Sequence, residues 1–298
     1  MRHIDRLEKM EHTCVAFGRF DGVHLGHQAV IRALVEERKR SGRKAVVVSF
    51  PGTNEEKVLT TEMEKAYLLE KLGVDVLLSL QTGGKDQETL IQRVFIQKLG
   101  AEMFVAGSGC TERALLEQCG KELRLVDTVC AGGEPVTDVR AAEYLEAGDM
   151  EQLTKLCGHP YLMLGKVVHG KALGRTVGMP TANLKIYGTK HRPPGGVYAT
   201  CTYLDGKAYY GVTNVGTRPS VDDLPEITIE TMLADFDADI YGEKMMTEFH
   251  LYLRGIQKFD GIQAVWQQVQ KDMEQAREYF ECSMHDLCAS RSVLLVTE

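Results

Sequence analysis

The chain has 298 residues, which at roughly 150 residues per domain predicts two domains. Hydrophobic residues make up 44% and charged residues 26%, a globular balance that excludes long disordered, collagen-like and disulfide-scaffold architectures. The formal charge is −7, and the halves on either side of residue 158 are each mildly acidic. General nucleic-acid binding, which needs many cations against phosphate, is therefore disfavoured.

The first twelve residues are polar and carry no apolar core of a secretory signal. No later run approaches the ~20 apolar residues of a membrane span. The eight cysteines form no CxxC pair and read as reduced thiols, so the expected compartment is the cytoplasm. Residues 14–18 (CVAFG) then predict a strand and 27–42 a helix, whose basic end at 37–44 suits a C-terminal dipole and stops at Gly42. Strands follow at 45–50, 74–80, 102–107 and 123–129, with helical patterns at 64–73, 90–100 and 112–122. Apolar strands separated by helices predict an α/β half with a parallel sheet, whose ligands bind beyond the carboxyl ends of the strands.

The loop after the first of these strands reads GRFDGVHLGH (18–27). Gly18, Gly22 and Gly26 let backbone approach a ligand, and the helix that opens here offers unpaired N–H groups to phosphate. His24 and His27 are candidates to donate to phosphate oxygens whose charge grows during adenylyl transfer. The alternative is a pair of incidental loop histidines; zinc is disfavoured because no carboxylate or cysteine cluster accompanies them.

Residues 143–158 predict short helices leading to a boundary, so the expected division is 1–158 and 159–298. Beyond it, 161–169, 196–204, 207–216, 227–236 and 243–254 are strand-like without intervening helices, and Asp205-Gly206 is a hairpin signal. The pattern predicts a small antiparallel barrel. Ile262, Val265, Trp266, Val269, Met273, Ala276 and Phe280 recur at helical spacing and predict a core-packed stripe, whereas the tail beyond Phe280 has no assigned role.

Residues 165–171 fit GxxxxGK, but Ala172 stands where a P-loop needs Ser or Thr, and the segment lies in an antiparallel pattern. Taken together, 165–184 instead form a glycine-loosened loop bearing Lys171 and Arg175, stiffened by Pro180. The Thr181 hydroxyl and Asn183 carbonyl are hard oxygen donors suited to a partly hydrated Mg²⁺ on ATP. Glu230, on an apolar strand, is a candidate to take a proton from an attacking hydroxyl.

The GxFDGVHLGH segment resembles the adenylyltransferase half of bacterial bifunctional riboflavin kinase/FAD synthetases, and 160–275 resemble their riboflavin kinase half. The kinase resemblance rests on GRTVGMPTAN, Gly196-Val197-Tyr198, Asn214-Val215-Gly216-Thr217-Arg218-Pro219, Glu230 with Asp235-Phe236 and Tyr241-Gly242, and Leu253-Arg254 with Lys258-Phe259-Asp260. It implies a Rossmann-like nucleotidyltransferase sheet followed by a six-stranded Greek-key barrel and a helix. In the first half, His24 and His27 would contact ATP phosphates, with Gly18, Phe20, Asp21, Gly26 and Arg140 shaping the nucleotide site. In the second, Gly170, Lys171, Gly174, Arg175 and Pro180 would line the ATP loop, and Thr181 and Asn183 would hold Mg²⁺ and phosphate. Glu230 would be the base, while Arg254 and Phe259 would border the flavin. ATP, riboflavin and FMN are the implied substrates, with neither nucleic acid nor membrane as partner.

The first half departs from that family at 50–54, 107–113 and 136–142, losing aromatic residues, hydroxyls and an Arg, which predicts a degenerate adenylyltransferase. The second has Met232 and Ile256 where His and Glu are usual. The competing expectations are a bifunctional enzyme, a kinase whose first half only binds nucleotide or mediates assembly, and a non-enzymatic flavin or nucleotide sensor.

Overall fold

The computed structural model describes the chain apart from residues 53–55, 82, 85, 171–180, 187, 219–225 and 294–298; side chains are described as far as residue 282, except those of 218 and 226. It divides into two compact units that are not contiguous in sequence. One comprises Met1–Glu143, Lys155–His159 and Thr189–His191, the other Tyr144–Thr154, Pro160–Gly188 and Arg192–Glu298.

The first unit is built on a six-stranded, wholly parallel sheet. Its strands are β1 (Arg2–Ile4), β2 (Thr13–Gly18), β3 (Lys44–Ser49), β4 (Val76–Ser79), β5 (Ala101–Gly107) and β6 (Glu122–Val126), ordered β1-β4-β3-β2-β5-β6. Helices α1 (Leu25–Ser41), α2 (Glu62–Leu72), α3 (Gln87–Thr89) and α4 (Arg113–Gln118) connect them, and α3 continues as a π-helical stretch over Leu90–Lys98. Val15, Val46, Val48, Leu78, Phe95 and Phe104 are central to the core on one face of the sheet, and Cys14, Ala16, Val47 and Leu77 are buried on the other. A hairpin, β7 (Cys130–Ala131) with β8 (Glu134–Pro135), and the start of α5 (Asp138–Ala147) complete this part of the chain.

Three differences from the sequence expectation have local causes. Strand β1 is too short for a periodic signal and pairs only with β4. The segment 123–129 leaves the sheet at Val126, because β6 is an edge strand with one partner. Helix α4 is one and a half turns and stops before Gly120, whose positive φ does not continue a helix.

The second unit is a closed barrel ordered β10-β13-β12-β11-β14-β9. Its strands are β9 (Tyr161–Val168), β10 (Ala182–Lys185), β11 (Gly196–Leu204), β12 (Lys207–Arg218), β13 (Glu226–Leu233) and β14 (Lys244–Arg254). The buried hydroxyls of Thr200, Thr213 and Thr231 are linked in sequence at 2.9 Å each, and those of Thr202 and Thr247 at 3.1 Å, so polar side chains inside the barrel satisfy one another. After α6 (Met150–Cys157) and the barrel comes α7 (Ile262–Val293), which runs well past Phe280 and includes most of the tail. Met273, Ala276 and Phe280 pack against Val197, Ala199 and Val212 of the barrel wall as the periodicity predicts. Ile262 and Trp266 do not: each is 42% exposed, and Ile262 borders a cavity instead of a filled core.

Candidate nucleotide and flavin sites

In the first unit the chain order reverses at β2: β3 lies on one side of it and β5 on the other. Such a reversal leaves a crevice beyond the carboxyl ends of the two strands. A cavity of about 380 Å³ occupies it, lined by Phe17, Gly18, Phe20, Gly26 and His27, the ends of β5 and β6, and the turns that follow them.

Backbone geometry shapes the loop at its mouth. Phe20, Gly22 and Val23 all take positive φ, and His24 then caps α1, its Nδ1 accepting the His27 N–H at 3.3 Å. That bond fixes the neutral His24 ring as the Nε2–H tautomer. The two imidazoles stack with centroids 3.7 Å apart, and Phe20 meets His27 edge-on at 5.3 Å. A Cβ on Gly26 would fall 3.1 Å from His24 Cε1, so glycine is what admits the stack. Burial pushes both imidazoles below their usual range, and His27 further because His24 lies against it. His27 Nδ1 is buried and has no hydrogen-bond partner among the described residues. An unsatisfied polar atom in a cavity wall suits a phosphate oxygen.

Asp21 and Arg140 are placed differently from the other candidates. The Asp21 carboxylate faces away from the cavity, accepting the backbone N–H groups of Gly22, Leu59 and Thr60 and the Thr60 hydroxyl. It shapes the loop from behind. Arg140 donates to the carbonyls of Ala131, Glu134 and Pro135 and does not line the cavity; it clamps the β7–β8 hairpin. The altered 107–113 segment does line the cavity through Gly107, Ser108, Gly109, Cys110 and Glu112. Asp127, Thr128 and Val129 also line it. Sequence reading placed them in a strand; the signal available was their position just beyond a strand's carboxyl end.

In the second unit, strand register assembles the site. Asn183 on β10 pairs with Glu230 on β13, Glu230 with Asn214 on β12, Asn214 with Val197 on β11, and Val197 with Arg254 on β14. Five strands thus contribute one transverse row. Glu230, Asn214 and Arg254 line a cavity of about 240 Å³ between the barrel wall and α7, whose other walls include Val212, Met232, Val265, Val269 and Asp272. Thr181 borders this cavity and a smaller one of about 30 Å³ beside Thr231 and Tyr241.

Arg254 makes a two-pronged ion pair with Asp272, Nε to Oδ1 at 2.9 Å and one terminal nitrogen to Oδ2 at 2.7 Å, and Gln268 supports the carboxylate. The guanidinium lies 5.7 Å from the Phe259 ring, which borders Arg254 outside the cavity lining. A Cβ on Gly170 would fall 2.3 Å from Asn183 Nδ2, so that glycine leaves room for the Asn183 amide. Lys171, Gly174, Arg175 and Pro180 lie outside the described residues. Asn214 was visible in the sequence as part of a motif, with no role attached; its register sets it opposite Glu230 in the cavity wall.

Comparison with known proteins agrees with both halves. The FAD synthetase family matches residues 6–111 and the riboflavin kinase family residues 157–280. The bifunctional riboflavin kinase/FMN adenylyltransferase of Bacillus subtilis strain 168 is 31% identical, over 92% of this chain and 94% of its own length. The proteins of the same description from Listeria monocytogenes EGD-e and Escherichia coli K12 are 30% and 29% identical, over 89% and 91% of this chain and 92% and 93% of theirs. A crystal structure described as a macrolide-efflux protein from Streptococcus pneumoniae superposes with a TM-score of 0.80 at 26% identity, covering 92% of this chain and 98% of that one. Among the described residues, no helix is long and apolar enough to cross a membrane. With relatives of this identity matched almost end to end, the chain belongs to the bifunctional riboflavin kinase/FMN adenylyltransferase family.

Proposed function

We propose that the chain makes both flavin nucleotides, phosphorylating riboflavin in the barrel unit and adenylylating FMN in the parallel-sheet unit. The observation that carries the kinase reading is the Asn183–Glu230–Asn214 row at the edge of a cavity walled by α7. There the riboflavin 5′-hydroxyl attacks the γ-phosphorus of ATP, the bond to the β,γ-bridging oxygen breaks, ADP leaves, and Glu230 accepts the hydroxyl proton. A positioned base of this kind contributes about 10²–10⁴-fold. Thr181 and Asn183 offer the hydroxyl and carbonyl oxygens to hold Mg²⁺ and the phosphates, and Gly170 leaves the space in which Asn183 turns. Mg²⁺, bound with ATP, supplies charge neutralisation. Lys171, Gly174, Arg175 and Pro180 would close the nucleotide loop. Arg254 is neutralised by Asp272, so the flavin cavity offers no unpaired cation there, which suits an uncharged substrate such as riboflavin.

In the first unit, an oxygen of the FMN phosphate attacks the α-phosphorus of ATP and pyrophosphate leaves. His24 Nε2–H and His27 donate to the phosphate oxygens as charge accumulates. Gly18, Phe20 and Gly26 shape the approach, and Asp21 holds the loop. One observation favours a kinase-only alternative: Arg140 is engaged with three carbonyls and must turn to reach phosphate. The reading puts both reactions in the cytoplasm, where ATP is available.

The test is incubation of the purified full chain with riboflavin, ATP and Mg²⁺, followed by chromatographic separation of riboflavin, FMN and FAD. FMN and FAD together are expected. FMN alone would leave the kinase-only alternative, and no product would overturn both. Glu230→Gln should lower FMN formation by at least about 10²-fold, and His27→Ala should suppress FAD while FMN accumulates.

A further inference from the structure

We propose that Lys190 is a positioning residue for the nucleotide loop of the first unit, so that the adenylyl-transfer site is completed by residues from the riboflavin kinase stretch of the sequence. The inference rests on the adenylyltransferase reading above. Thr189–His191 fall within the 157–280 riboflavin kinase match, yet they belong to the first unit. Lys190 pairs with Val58 in a parallel bridge, in which Val58 N–H donates to Thr189 O at 2.9 Å and His191 N–H to Val58 O at 2.8 Å.

From there the Lys190 side chain is 1% exposed, and its Nζ donates to Leu59 O at 2.5 Å and to Glu64 Oε2 at 2.7 Å. Glu64 is equally buried and accepts the Thr61 N–H at 2.8 Å in the capping box that opens α2. On its other side the 59–60 backbone donates to Asp21, at 3.0 Å from Leu59 and 2.8 Å from Thr60. Asp21 begins the turn that delivers His24 and His27. The segment 59–60 is therefore held at the Leu59 carbonyl by Lys190 and at both of its amides by Asp21.

A buried ion pair is a poor choice for stability alone, since well-packed apolar residues of similar volume often serve as well or better. Directed N–H bonds to defined acceptors supply what apolar packing lacks, a set position for the backbone they hold. Burial pushes the Lys190 ammonium below its usual range, and the Glu64 carboxylate counters this.

The test compares the full chain with Lys190→Met and with Lys190→Met/Glu64→Gln, which removes the Glu64 charge together with the Lys190 charge. FAD formation from FMN, FMN formation from riboflavin and the melting of each unit are measured on the same preparations. We expect both variants to lose about tenfold or more in kcat for FAD, with KM for ATP and the rate of FMN formation within about twofold, because the histidines are displaced from the transition state while ATP still enters. Wild-type chain that makes no FAD overturns the adenylyltransferase reading itself. Wild-type chain that makes FAD, with a double variant of normal kcat, overturns the positioning role and leaves Lys190 a mere counter-charge for Glu64. A double variant whose first unit does not fold overturns it as well, by making the pair structural.

Discussion

His24 and His27 show how position changes the chemistry of ordinary side chains. Their spacing was legible in GRFDGVHLGH; their tautomer, stacking and burial were not, because these depend on Phe20 and on how tightly the loop turns at Gly26. Both rings are held neutral by burial, so the sign of their pH dependence follows. In the unfolded chain they protonate near the usual histidine value of about 6.5, and in the folded chain only below it. Between those limits the unfolded state binds more protons, so stability should fall as pH drops below about 6.5. We expect the first unit to melt at a lower temperature at pH 5.5 than at pH 7.5, and the difference to shrink in His27→Gln. Phosphate at His27 Nδ1 favours the charged ring, so ATP binding near pH 6 should take up protons, measurable by calorimetry in buffers of different ionisation enthalpy.

Among the elements, α7 has the most to explain. Its periodicity correctly assigned Met273, Ala276 and Phe280 to packing, but could not distinguish a filled core from the cavity wall that Ile262 borders or from the exposed position of Trp266. Arg254 of β14 and Asp272 of α7 hold the helix over that cavity, with Asp272 1% exposed. Asp272→Ala leaves a half-buried guanidinium without its carboxylate and should destabilise the barrel unit by about 3–5 kcal/mol, read by denaturant unfolding. Trp266 is the sole tryptophan and stands on this helix, so its emission should be quenched when riboflavin binds, and less so in Asp272→Ala at equal riboflavin. The short β10 escaped the periodic signal because only four of its residues pair, directly after the glycine-rich loop.

At the level of the whole molecule, the chain's two compact units are each assembled from several stretches of sequence. The first unit also takes in Thr189–His191, including a lysine that neutralises a buried glutamate. A chain ending at residue 158 would leave Glu64 buried without that partner. Its fold should be weaker than that of the same unit in the full chain by about 3–5 kcal/mol, measurable as a shift in its urea midpoint. Nothing in GTKHRPP marks Lys190 as different from a surface residue, since its burial is set by Val58, Leu59 and Glu64 more than a hundred residues earlier.

The sequence by itself determined the alternation of strand and helix, the antiparallel barrel and the family motifs of both halves. These rest on side-chain periodicity, turn chemistry and short motifs, all of which act over a few residues. The tertiary structure alone decided that Asn183, Glu230, Asn214 and Arg254 share one row, that Asp21 and Arg140 turn to backbone partners, and that Lys190 serves the first unit. Strand register and the pairing of buried charges are settled by contacts between distant parts of the chain, where a shift of one residue sends every side chain to the opposite face.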